Sequence, residues 1–285
     1  MRSVRIATDS TADVPAALAL ELDIAIVPCQ IFFEQEVYAD GVDLSPYAFY
    51  DRLAHAPELP RTSQPPVSRF METYRRLLGE EEAEAVISIH VAGNVSGTVN
   101  AAWAAAQMLP DPSQVEVIDS GQVSMGMGLA VIEAARLAQT GASRDQVTQA
   151  VREMLPRLRA GAMIDTLENL YKGGRISQVT AALGTVLQIK PLIIIRAGHI
   201  EVVDRVRTRS KALMRLEALI RDWGVPAHLA VLHTGAEKLA QELASSLQDL
   251  MPDGQMMVEP AGAALTTHLG LGAVGVCALL AANAQ

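Results

Sequence analysis

The chain has 285 residues, half of them hydrophobic but only 4% aromatic, and a formal net charge of −9. That length allows two domains sharing a cleft, with a core that Ala, Val, Leu, Ile and 11 Met must fill, so the interior is aliphatic and deformable. An acidic balance argues against a general nucleic-acid or anionic-membrane binder, and no apolar run reaches the roughly 18 residues of a membrane span or forms a signal peptide, so a cytoplasmic protein without stable membrane insertion is expected.

Val4-Arg-Ile-Ala-Thr8 predicts a strand, followed by a polar turn in which Asp13 is placed to cap a helix over 16–22, with Pro15 in its first turn. Residues 24–33 and 36–38 read as strands joined at Glu34-Gln35, and Ser45-Pro46 starts a helix reaching about 54. Four prolines within 57–66 exclude a helix and predict a stiff, extended segment carrying Thr62 and Ser63. Ser68 is placed to cap a helix over 69–78. Residues 86–91 form an apolar, β-branched run, 92–97 are small and glycine-punctuated, and 98–108 are alanine-rich, which predicts strand, tight loop and helix. A helix that starts after such a loop presents unpaired N–H groups at the positive end of its dipole, a natural seat for a phosphate or carboxylate. A strand over 115–119, a polar turn over 120–124, a helix over 125–139 with Gly126 and Gly128 near its start, and a helix over 144–158 complete a first domain, residues 1–158. Its alternation predicts a mostly parallel, helix-covered sheet.

The second domain, 159–285, opens with a strand at 161–164 and a helical turn at 167–171. Lys172-Gly-Gly-Arg-Ile-Ser177 then predicts a glycine-flexed loop into a helix over 178–187. Residues 189–196 and 199–207 form a hairpin around Ala197-Gly198, and Thr208 is placed to cap a helix running to 222. A strand at 227–233, a helix at 236–249, a strand at 256–260 and an apolar helix over 270–282 follow. Cys29 and Cys277 lack metal-type spacing and read as reduced core thiols.

Phosphate-loop, dinucleotide-fingerprint, zinc-protease and nucleophile-elbow signatures are all missing, and the six histidines show no metal-ligand spacing. What recurs is a small hydroxyl residue in a loop: Ser10 and Thr11, Thr62 and Ser63, Ser96 and Thr98, Ser120 and Ser124, and Thr266 and Thr267 beside His268. In open α/β sheets ligands collect beyond strand C-termini, so these loops are placed to converge on one anionic group. Neutral donors bind a carboxylate without burying an opposite charge, which suits a ligand whose remainder is apolar.

Set in order, these segments resemble the DegV family of bacterial fatty-acid-binding proteins from end to end. The resemblance rests on Thr8-Asp-Ser-Thr-Ala-Asp13, Thr62-Ser-Gln-Pro65, Val95-Ser-Gly-Thr98, Asp119-Ser120 with Gly126 and Gly128, Tyr171-Lys-Gly-Gly-Arg-Ile-Ser177, Ile189-Lys-Pro-Leu192 and His268-Leu-Gly-Leu-Gly272. It implies two α/β domains with a tunnel between them for one long-chain fatty acid. It also implies a separate dihydroxyacetone-kinase-like fatty acid kinase, to which the carboxylate is presented for acyl phosphate formation on the way to phospholipid synthesis, with no cofactor. Carried onto this chain, Thr62 hydrogen-bonds the carboxylate with Ser63 beside it. The loop Gly93, Asn94, Ser96, Gly97 and Thr98 supplies further donors, Ser124 and Arg175 line the site, and His268 sits at the carboxylate end. Two departures stand out. Ala92-Gly93 occupies the place of a common Ser-Ser, removing one hydroxyl, and Leu271 replaces a usual proline.

Arg196, Arg205, Arg207, Arg209 and Lys211 cluster on the hairpin and the following helix start, a local positive patch suited to docking a kinase. Two alternatives come from other classes. One is an enzyme acting on an acyl or small phosphorylated substrate, with His268 as general base and Arg175 as electrostatic clamp. The other is a lipid-responsive sensor.

Overall fold

The computed structural model describes residues 4–176, 189–251, 254 and 256–282, and the helix expected over 178–187 lies outside them. The apolar runs of the first half give β1 (Val4–Asp9), β2 (Ala25–Val27), β3 (Gln30–Phe33), β4 (Glu36–Ala39), β5 (Arg61–Ser63), β6 (Ala85–His90) and β7 (Val115–Asp119). Four of these pair in parallel, in the order β2-β1-β6-β7. All of β6 is buried, as befits a parallel strand covered on both faces. The helices between them are α1 (Ala16–Glu21), α2 (Pro46–His55), α3 (Val67–Arg75), α4 (Thr98–Gln107), α5 (Met125–Gln139) and α6 (Arg144–Met154). Residues of α3 and α4 pack on one side of the parallel sheet, and those of α5 and α6 on the other.

The second half contributes β8 (Leu158–Met163), β9 (Lys190–Arg196), β10 (His199–Val206), β11 (Pro226–His233), β12 (Met257–Pro260) and β13 (Val274–Leu280). They form one six-stranded sheet, β10-β9-β8-β13-β11-β12, antiparallel except for the β11/β12 pair. With them come α7 (Glu168–Lys172), α8 (Arg209–Arg221), α9 (Glu237–Ser246) and α10 (Ala263–Leu269). Helices α8 and α9 cover one face of this sheet, while α5, apolar on nearly every side, is buried between its other face and β1. A small antiparallel sheet, β4-β3-β5, carries the proline-flanked segment.

Several expectations need correction. The run 24–33 is two strands in two sheets: Pro28 interrupts it, leaving β2 in the parallel sheet and β3 in the small one. Asp13 caps no helix, since it has φ 52° and α1 begins after Pro15 without a side-chain cap. Helix α3 starts one residue before Ser68, with Pro66 at its cap, and continues from Arg76 to Glu80 as a π-helical turn. The helix over 144–158 ends at Met154, because Leu158 already opens β8. The apolar stretch 270–282 holds no helix but the strand β13 (Val274–Leu280), preceded by Gly270 and Gly272 at φ 75° and 85°. An interior strand buried on both faces has the same unbroken apolar character as a buried helix. Thr266, Thr267 and His268, expected in a loop, lie on α10.

A buried polar chain threads the first half. The Tyr74 hydroxyl donates to Ser88 Oγ (2.9 Å), which lies 2.7 Å from His90 Nε2, while His90 Nδ1 lies 2.9 Å from Asp9 Oδ2. Its residue types match those of a hydrolase triad, but all four side chains are sealed in the core, so it stabilises the sheet.

Candidate functional site

The C-terminal ends of β1, β2 and β6 and the turn after β7 point their loops at the face of the six-stranded sheet opposite α8 and α9. Between them lies a cavity enclosing about 1060 Å³ of atom-free space, part of it open to solvent. Its walls are aliphatic, with Val91, Val95 and Val123 from the loops and Ile193, Ile195 and Leu232 from the sheet. Among the described residues no Phe, Tyr or Trp lines it. Both cysteines line it too, and burial pushes both thiols well above their ordinary range.

Thr62, on β5 between the buried Pro60 and Pro65, meets His268 in the last turn of α10, with Oγ1 and Nε2 2.9 Å apart. The imidazole's other nitrogen, Nδ1, is buried and has no hydrogen-bond partner among the described residues. Burial, reinforced by the nearby Arg175 guanidinium, lowers the His268 pKa to about 4, so the ring is neutral at physiological pH. Gly173 is a wall of this niche. Its backbone is ordinary right-handed helical, but a Cβ there would stand 2.4 Å from His268 Nδ1, so close approach alone requires glycine. Arg175 reaches back across the cleft, donating from Nε to the Val95 carbonyl (3.2 Å) and from Nη1 to Gly173 (2.6 Å). A second cavity, lined by the 57–62 segment and by Lys172 and Thr267, shares Thr62, Arg175 and His268 with the first. These three side chains therefore stand where the apolar cavity meets a polar opening.

The other end of α10 is held by two carboxylates from the first half, a buried Asp40 and a half-buried Asp13, whose part in the site the sequence reading missed. Asp40 accepts from Ala263 N (3.0 Å), Ala264 N (3.4 Å) and Ser10 Oγ (2.8 Å). Asp13 accepts from Gly262 N (2.8 Å) and Ser124 Oγ (2.5 Å). Burial outweighs these bonds and raises the Asp13 pKa to about 7, and it raises that of Asp40 as well. The repeated Asp and small hydroxyl residues of 8–13 were the visible signal, but their partner, a helix start some 250 positions away, was not.

The remaining expected residues divide. Ser63, Ser96 and Ser124 line the cavity. The hydroxyls of Ser96 and Thr98 bond each other (2.8 Å), and Ser96 Oγ also accepts the first N–H of α4, so this helix start is already partly satisfied. Gly97 packs against the Gln64 side chain and Thr98 is buried beneath the loop. Gly93 and Asn94 are exposed and, like Gly97 and Thr98, are not among the residues that line the cavity. Gly93 N donates to Asp119 Oδ2 (3.0 Å), and Asn94 Nδ2 donates to the Ala197 carbonyl (3.3 Å) at the β9–β10 turn. In the basic cluster, Arg209 is tied with Lys190 to Asp165, and Arg196 to Glu201 (2.9 Å). Arg205, Arg207 and Lys211 are exposed, and among the described residues no ion pair engages them.

No helix among the described residues is long and apolar enough to cross a membrane. A family model described as "Uncharacterised protein, DegV family" matches residues 3–281. Among curated relatives, Protein DegV of Bacillus subtilis is 33% identical over 279 residues, covering 96% of this chain and 98% of its own. A DegV domain-containing protein of Deinococcus radiodurans is 36% identical over 282 residues, covering 96% of this chain and 97% of its own. Two solved structures superpose with a TM-score of 0.88. One is described as fatty acid binding of a DegV family protein from Thermus thermophilus (30% identity, 98% of this chain and 100% of that one). The other is described as DegV, a fatty acid binding protein from Bacillus subtilis (31% identity, 99% and 100%).

Proposed function

This chain belongs to the DegV family, and from that premise we propose that it binds one long-chain fatty acid in the aliphatic cavity and presents the carboxylate to a separate fatty acid kinase. The observation that carries this reading is the distribution of polarity: an apolar cavity whose Thr62, Arg175 and His268 gather at the junction with a solvent-facing opening. Burial of a long methylene chain, at roughly 0.8 kcal/mol per CH₂, supplies most of the affinity, and the polar end supplies orientation. A proton on His268 Nε2, donated to Thr62 Oγ1, leaves only a lone pair orphaned at Nδ1, and the threonine hydrogen is then free to point at a carboxylate oxygen. The carboxylate so held faces the second cavity, where a partner's phosphoryl donor has access, and Arg205, Arg207 and Lys211 offer that partner an electropositive patch.

One observation favours an enzyme instead, because Thr62 and His268 stand at nucleophile–base distance. Against it, no group among the described residues orients His268 through Nδ1, and its pKa near 4 makes it a weak base. Native mass spectrometry of protein purified without added lipid tests the carrier reading. The expected result is an extra mass equal to one common fatty acid that is lost on denaturation. Steady turnover of acyl phosphate by the protein alone would favour the enzyme.

A further inference from the structure

The face of the six-stranded sheet opposite α8 and α9 is uneven in a way fixed by strand register. Directly opposed residues of antiparallel strands share a face, so the pairs Ala162–Gly275 and Ala160–Cys277 place three small side chains and a bare glycine along the two central strands, β8 and β13. The neighbouring strands raise larger groups on the same face. Ile193 of β9 is paired with Ala162, and Leu232 of β11 is paired with Gly275. Small residues in the middle and branched ones on either side make a trough running along the strands, and all six residues line the cavity.

The trough has a direction and an end. Past Met163 the chain leads through α7 to Arg175, so the polar junction lies at the C-terminal end of β8. Ala160 is two residues further from that end than Ala162, about 6.6 Å along the strand. There α5 closes the trough, since a methyl on Gly126 would stand 3.2 Å from Ala160 Cβ. The opposite face of the same strands gives no such channel, because Met163, Val274 and Val276 there are packed under α8 and α9.

We propose that this trough is the selectivity element of the site, with Ala160 against Gly126 as the stop that limits acyl length and Ile193 and Leu232 as walls that favour a straight, unbranched chain. The proposal rests on the fatty-acid reading and adds which residues choose the acyl chain. A larger side chain at Ala160 fills the deep end without touching Thr62, Arg175 or His268, so it moves the preference between acids and leaves the carboxylate end intact.

Competition between hexadecanoate and dodecanoate, read by native mass spectrometry, tests it. Ala160→Leu is expected to shift the ratio toward dodecanoate by roughly tenfold, the effect of excluding about two methylenes. Ile193→Ala, which removes bulk from a wall, is expected to raise uptake of a methyl-branched or cis-unsaturated acid relative to hexadecanoate, and it keeps the idea testable should Ala160→Leu fold poorly. Folded variants that keep the wild-type ratios overturn the proposal. Wild-type protein that takes up neither acid overturns the fatty-acid reading itself, together with the selectivity assigned here.

Discussion

At the N-terminus of α10 each carboxylate oxygen of Asp13 and Asp40 has a partner, whereas at its C-terminus His268 keeps a buried ring nitrogen with none among the described residues. The two ends are one short helix apart, yet the first uses its polar groups for structure and the second leaves them for something else. Satisfied buried polar groups fix a geometry, whereas an unpaired one leaves a group that a water, an ion or a ligand can engage. In this protein the carboxylates of the first half hold the start of α10, and that anchoring sets where His268 meets Thr62.

The sharpest way to break the contrast is at the satisfied end. Asp40→Ala removes the acceptor for two backbone N–H groups and the Ser10 hydroxyl, and is expected to destabilise the apo protein by about 3–5 kcal/mol, seen as a large fall in melting temperature. If the latch matters to the site, fatty-acid retention falls with it.

The two ends also titrate in opposite senses, which makes pH a finer probe. Asp13 keeps its proton up to about pH 7 in the folded chain, but the unfolded chain releases it near 3.8. The folded state therefore binds more protons between those values, and stability falls as pH rises through that window. His268, with a pKa near 4 folded against 6.5 unfolded, binds fewer protons when folded. Its contribution is present above 6.5 and is lost as pH falls toward 4. Asp13→Asn removes the first slope while keeping an acceptor for Gly262 N. Relative to wild type, its stability is expected to gain with rising pH between about 4 and 7, by a few kcal/mol in denaturant titrations. A constant difference across that range would mean that Asp13 is charged throughout.

At the unsatisfied end the effect should fall on the ligand and spare the fold. Thr62→Val keeps the shape and removes the hydroxyl, so retention of a fluorescent fatty acid is expected to weaken by about 1.5–3 kcal/mol with little change in apo melting temperature. Equal retention by the variant would take Thr62 out of the site. The smallest effect is expected at Gly93, which the resemblance placed beside the carboxylate and the structure places outside the cavity. Gly93→Ser should leave fatty-acid affinity unchanged and alter stability by less than about 1 kcal/mol, because its new Cβ meets only the far end of the exposed Asp119 side chain. Tighter binding would return this loop to the site.

Local chemistry made much of the chain legible in advance. The helix over 125–139, the hairpin around Ala197-Gly198, the cap at Thr208 and the extended proline segment follow from periodicity, propensity and turn residues, which act between neighbours in sequence. The ordered motifs also pointed to the family. Tertiary structure decided the rest, because those outcomes depend on partners far along the chain. Residues 270–282 hold a strand because β8 and β11 flank it, and residues 24–33 divide because Pro28 cannot sit in a continuous ladder. Thr62 and His268 are 206 positions apart, and Asp13 and Gly262 are 249 apart, so no local pattern announces either contact. The trough is a property of register: Ala160, Ala162, Gly275 and Cys277 are unremarked small residues until antiparallel pairing sets them side by side beneath taller neighbours.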